Sequence, residues 1–147
     1  MTTRPEIRWY DEIFFRGHGA IQSMHPTTLE ITKESSLSER GTCIVGVQST
    51  KGCADLSKDL KRKLSRDVSR VIISLSVEEQ EFLIYARGSG MLQLTDSRDL
   101  VIRKSDFHCP RTAVLGSSAA AIDIPRSMVK ELKSSKTTGT LRFGLIL

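Results

Sequence analysis

Two histidines, a carboxylate, three hydroxyls and an ammonium lie within one short stretch: His18, His25, Thr27, Thr28, Glu30, Thr32 and Lys33. Imidazole changes charge near neutral pH, so His18 or His25 could move a proton or ligate a metal, with Glu30 as partner. Threonine hydroxyls and a lysine ammonium instead suit the grip of a phosphate, which makes Thr28, Thr32 and Lys33 candidate ligand-binding groups. A metal would need a further ligand from Glu30, or from His108 and Cys109, and the spacing specifies none. No metal site is therefore read here, His18 and His25 being the nearest candidates. Two plainer accounts compete with these: histidines bonded to backbone in turns, and Thr28, Glu30 and Thr32 as the solvent face of an edge strand.

The elements that must position these groups occur twice. Displacing the chain by about 71 positions sets Ile13, Arg16, Gly17, Gly19, Gln22, Leu29, Ile31 and Lys33 on Ile84, Arg87, Gly88, Gly90, Gln93, Leu100, Ile102 and Lys104. With small gaps the match goes on through Arg40 on Arg111, Asp55 on Asp123 and Leu64 on Leu132. Self-similarity of this kind outranks other sequence signals. It predicts a single domain, residues 1–147, made of two tandem repeats of about 7–77 and 78–147, neither large enough to bury a core alone. The reactive groups sit in the first unit only: His18 falls on Ser89, His25 on Asp96 and Glu30 on Val101.

Each unit reads as strands, a helix and a final strand. In the first, Ile7 to Arg16 is strand-like, Gly17-His18-Gly19 breaks it, Ala20 to Met24 resumes it, and Thr27 to Lys33 alternates with Leu29 and Ile31 on one face. Thr42 to Gln48 is a further strand. Asp55 to Arg66 carries Leu56, Leu60 and Leu64 on a helical stripe, and Val71 to Val77 is again a strand. In the second, Glu81 to Ala86, Met91 to Leu94, Leu100 to Lys104 and Thr112 to Gly116 are strands. A helix then begins near Pro125 with Asp123 as its cap, and Thr140 to Leu147 closes the chain. About ten short strands and two helices predict a β-rich α+β fold, an internally duplicated pseudo-two-fold β-barrel or sandwich.

The chain has 147 residues, 22 basic against 17 acidic, for a net charge of +5. A basic balance favours phosphate-bearing partners. Three cysteines without a paired spacing exclude a disulfide framework and a zinc knuckle, and no apolar run is long enough for a membrane helix, so a cytoplasmic protein without a membrane partner is expected. The helical residues Lys58, Lys61, Arg62, Lys63 and Arg66 read as a solvated face diluted by Asp59 and Asp67.

Four runs carry a family resemblance: Gly17-His18; His25-Pro26-Thr27-Thr28-Leu29-Glu30-Ile31-Thr32-Lys33-Glu34; Gly41-Thr42-Cys43-Ile44-Val45-Gly46-Val47; and Ile102-Arg103-Lys104-Ser105. Over nearly its whole length the chain resembles an archaeal family of uncharacterised proteins, known as a domain of unknown function. The resemblance implies an archaeal, β-rich fold and no established activity. The chain departs from the family pattern at Thr42, where an acid is usual, and at Arg87-Gly88-Ser89, which lacks a second Gly-His.

The leading expectation is a binding module for an anionic ligand, nucleotide or RNA, seated between the repeats. Lys33, Arg40, Lys104 and Arg111 would hold its phosphates, with Thr28 and Thr32 beside them. One alternative is an enzyme, metal-assisted or not, using His18, His25 and Glu30. The other is a non-catalytic homo-oligomeric scaffold with Trp9 and Tyr10 at subunit contacts.

Overall fold

Alternating apolar residues become strands wherever both faces find cover. In the computed structural model, which describes residues 5–37 and 41–147, they form two four-stranded sheets. The first contains β1 (Ile7–Arg16), β4 (Arg70–Val77), β5 (Gln80–Arg87) and β8 (Thr138–Ile146) in the order β1-β8-β4-β5, all antiparallel. The second contains β2 (Thr28–Thr32), β3 (Ile44–Gly46), β6 (Asp99–Arg103) and β7 (Thr112–Val114) in the order β3-β2-β6-β7. Its central pair, β2 and β6, is antiparallel, and the outer pairs are parallel. Helices α1 (Lys58–Leu64) and α2 (Arg126–Leu132) each follow a single 3-10 turn, Cys53–Asp55 and Ala121–Asp123.

The core lies between the sheets. Leu29, Ile31, Leu100 and Ile102 from the second sheet meet Ile13, Phe15, Ile73, Leu75, Ile84, Leu141 and Phe143 from the first, and Leu60, Leu64, Met128 and Leu132 come in from the helices. Phe15 is held between Gly46 and Gly139, where any Cβ would strike its ring. The sheets do not close into a barrel. They meet at two isolated bridges, Arg16 with Val47 and Arg87 with Leu115, which makes the fold a sandwich-like α+β arrangement.

Several expected elements are shorter. Ala20 to Met24 and Met91 to Leu94 are irregular, because Ser23 and Leu94 adopt φ of 54° and 55°, which no strand accommodates. Among the described residues eight strands stand against the expected ten or so. Gln48, at φ 50°, likewise stops the third strand early. Asp123 caps the 3-10 turn, accepting from the Ala120 N–H at 2.9 Å, and Pro125 occupies the N-cap of α2. Among the described residues no helix is long and apolar enough to cross a membrane.

Candidate functional site

On β2 and β6 the side chains opposite the core are Thr28, Glu30 and Thr32 against Arg103, Val101 and Asp99. The plainer account left open by the sequence makes this the solvent face of an edge strand, yet β2 is central, and Glu30, Thr32 and Asp99 are only 4%, 3% and 5% exposed. The cover comes from the segments entering β3 and β7. Arg111 places Nη1 at 2.6 Å from Glu30 Oε1 and 3.3 Å from Asp99 Oδ2, so one guanidinium spans two carboxylates. The Cys43 thiol donates to Glu30 Oε2 at 3.6 Å, and the Thr32 hydroxyl donates to Asp99 Oδ1 at 2.7 Å.

Burial pushes the Glu30 carboxyl above its ordinary value, Arg111 opposes the rise and Asp99 adds to it. Burial and then the Glu30 charge push the Cys43 thiol up to about 11, so it stays a thiol and a donor. Beside this pair Arg103 donates Nε–H to Thr112 Oγ1 at 2.9 Å and lies 4.9 Å from the Phe107 ring centre. Burial raises the Cys109 thiol, but bonds from the Arg111 backbone, Thr112 and Arg103 outweigh it and hold the thiol below its usual range.

The histidines organise turns. His18 Nδ1 accepts from the Ala20 N–H at 3.0 Å, as Ser89 Oγ accepts from Met91 at 3.1 Å in the second half. His25 Nδ1 accepts from Thr27 and Thr28 at 3.2 and 3.1 Å, as Asp96 Oδ1 accepts from Arg98 and Asp99 at 2.8 and 2.7 Å. Among the described residues no three His, Cys, Asp or Glu side chains converge to hold a metal.

Lys33 and Lys104 are both ion-paired. Lys33 Nζ lies 2.6 Å from Asp55 Oδ2, and Lys104 Nζ lies 2.8 Å from Asp123 Oδ2. Each aspartate also accepts the N–H that opens its 3-10 turn, and the lysine followed by that N–H holds its carboxyl below the usual range. Arg40 lies outside the described residues.

Another group of cations lies on the first helix and the first strand. The start of β1 and the exposed side of α1 enclose a groove of about 290 Å³ lined by Arg8, Tyr10, Asp59, Arg62, Lys63 and Arg66. Asp59 is bonded to Arg62 along the helix. Among the described residues Arg8, Lys63 and Arg66 have no ion-pair partner. Sequence reasoning saw the basic helix and took it for a solvated face. It missed that β1 brings Arg8 and Tyr10 opposite that face, and only the cation count on α1 hinted at it.

Comparison with known proteins adds two findings. The family described as domain of unknown function (DUF371) matches residues 13–145. The uncharacterized protein MJ0206 of Methanocaldococcus jannaschii is 40% identical over 121 residues, which cover 82% of this chain and 89% of that protein.

Proposed function

The chain belongs to the family described as domain of unknown function (DUF371), a description that assigns no activity, and from the groove between β1 and α1 we propose a binding module for a phosphate-bearing ligand, a nucleotide or RNA. The observation that carries this reading is the set of cations, Arg8, Lys63 and Arg66, that line one depression and have no ion-pair partner among the described residues. Like charges held close together without counterions repel, and a concave wall adds their potentials, so an anion entering the groove relieves the repulsion. Arginine donors match phosphate oxygens in pairs, and lysine adds a point charge.

The ligand class follows the expectation from the sequence, while its seat moves. Between the two halves, Lys33, Lys104 and Arg111 already face Asp55, Asp123 and Glu30, so a phosphate there would have to displace a carboxylate from each. An enzyme built on His18, His25 and Glu30 has less support. Both Glu30 oxygens are engaged, by Arg111 and Cys43, and both imidazoles accept backbone N–H groups through Nδ1.

Titration of the protein with a fluorescein-labelled mixed-sequence RNA and with ATP, each at two salt concentrations, tests the proposal. Affinity for at least one is expected to fall with salt. Lys63→Ala and Arg66→Ala should each weaken it and lower the salt slope by about 1, the mark of one lost phosphate contact. Lys33→Ala and Lys104→Ala should leave it unchanged. Binding that ignores Lys63 and Arg66 but depends on Lys33 and Lys104 would return the ligand to the space between the halves, and no binding at all would end the proposal.

A further inference from the structure

The groove does not end at α1. A second depression of about 180 Å³ shares Tyr10, Lys63 and Arg66 with the first and continues past Val68 to Arg70 and Ile146. A third, of about 490 Å³, shares Arg70 and Ile146 with the second and reaches Tyr85 and Arg87. The three make one trough with cations along its course: Arg8, Lys63, Arg66, Arg70 and Arg87. Two aromatic rings line it: Tyr10, partly buried against the core where the first two depressions meet, and Tyr85, 48% exposed, on β5 in the third. Between them Val68 and Leu147 offer apolar surface that is 87% and 57% exposed.

A second observation, independent of the trough's shape, concerns its far half. Arg70 and Arg87 are direct cross-strand partners on β4 and β5. Like charges opposite each other on an antiparallel pair are destabilising. Asp106 answers Arg87, but no carboxylate among the described residues answers Arg70.

From these observations, and resting on the anion-binding reading above, we propose that the ligand is a single-stranded nucleic acid lying along the whole trough. Its bases would stack on Tyr10 and Tyr85, and its phosphates would face Arg8, Lys63, Arg66 and Arg70. A lone nucleotide would fill one depression and leave Arg70 unanswered. A duplex hides its base faces, so the two rings would have nothing to stack on. A single strand offers both flat bases and charged phosphates, the two features that rings and cations in one groove can meet. Neither ring nor cations read a base edge, so the binding should tolerate any sequence.

The test is fluorescence anisotropy with labelled uridylate or thymidylate of two and ten nucleotides and a ten-base-pair duplex, on the wild type and on Lys63→Ala, Arg70→Ala, Tyr85→Ala and Tyr85→Phe. Either decamer should bind at least about tenfold more tightly than its dimer and than the duplex. Tyr85→Ala should weaken the decamer by roughly fivefold or more, the loss of one stacked base, while Tyr85→Phe keeps it. Arg70→Ala should weaken the decamer and flatten its salt dependence. Equal affinity for dimer and decamer, tighter duplex binding, or a decamer indifferent to Tyr85 and Arg70 would overturn the extended site. If Lys63→Ala still weakens binding in that case, the local phosphate site stands alone; if Lys63→Ala is silent too, both readings fall.

Discussion

Glu30 and Arg111 meet at 2.6 Å although 81 positions separate them in the chain. Glu30 lies on one of the two central strands of the second sheet and Arg111 just before an edge strand, so their contact fixes the cover of that sheet to its middle. Arg111 keeps 43% of its side chain exposed while the Glu30 side chain keeps 5%, so water screens the cation and not the carboxylate. A pair with a buried carboxylate is weak support for stability and strong support for a defined geometry, since removing Arg111 would leave the Glu30 charge buried without its partner.

The first prediction concerns pH. Burial raises the folded pKa of Glu30 above its ordinary 4.5 despite Arg111. The folded state then binds the Glu30 proton more tightly than the unfolded one, so stability from this group is complete below the unfolded value and is lost as pH rises through the folded one. Glu30→Gln cannot titrate. The stability of the wild type minus that of Glu30→Gln, from denaturant melts at a series of pH values, should therefore decline as pH rises above about 4.5 and then level off. Asp55 and Asp123, held low chiefly by Lys33 and Lys104, run the other way in both proteins and cancel in the difference. A difference that grows with pH would show that Arg111 outweighs burial.

A second prediction uses the matching hydrogen bonds of His25 and Asp96. Each accepts two backbone N–H groups that begin the following strand, β2 or β6. If His25 serves as a turn acceptor, His25→Asp should keep the stability of the fold, whereas His25→Ala should cost about 1 kcal/mol for the lost bonds. Thermal melts of the two variants check this, and an aspartate as damaging as the alanine would assign the imidazole some other role.

Strand alternation and the leucine stripe were legible in the sequence because they depend on neighbours three or four positions away at most. Leu29, Ile31, Leu56, Leu60 and Leu64, the residues those patterns place inside, are all buried. The burial of Glu30 was not legible. A polar residue alternating with apolar ones reads as solvent-facing, and only the fold brings Arg111 and Cys43 over it. The backbone at Ser23 and Leu94 was hidden for a similar reason: neither residue type favours a positive φ, and the turns around them impose it. The β1 and α1 groove depends on a contact between two elements about fifty positions apart, which no local pattern encodes.

The last prediction returns to the helices. Leu64 closes α1 and Leu132 closes α2, both at 0% exposure, and each carbonyl accepts the N–H of the second residue past a strand of the first sheet: Ser89 beyond β5 for Leu64, His18 beyond β1 for Leu132. Gly17 and Gly88 sit so close to those carbonyls that a Cβ on either would collide with them. The helix ends are thus pinned by backbone and cannot slide in to fill a void. Leu64→Ala and Leu132→Ala should then fall toward the costly part of the range for truncated core leucines, about 3 to 5 kcal/mol each. The two should also agree with each other, since both sites have the same anchoring. Urea melts give both values; a cost under about 1 kcal/mol at either would mean that its helix end collapses onto the cavity despite the backbone bond.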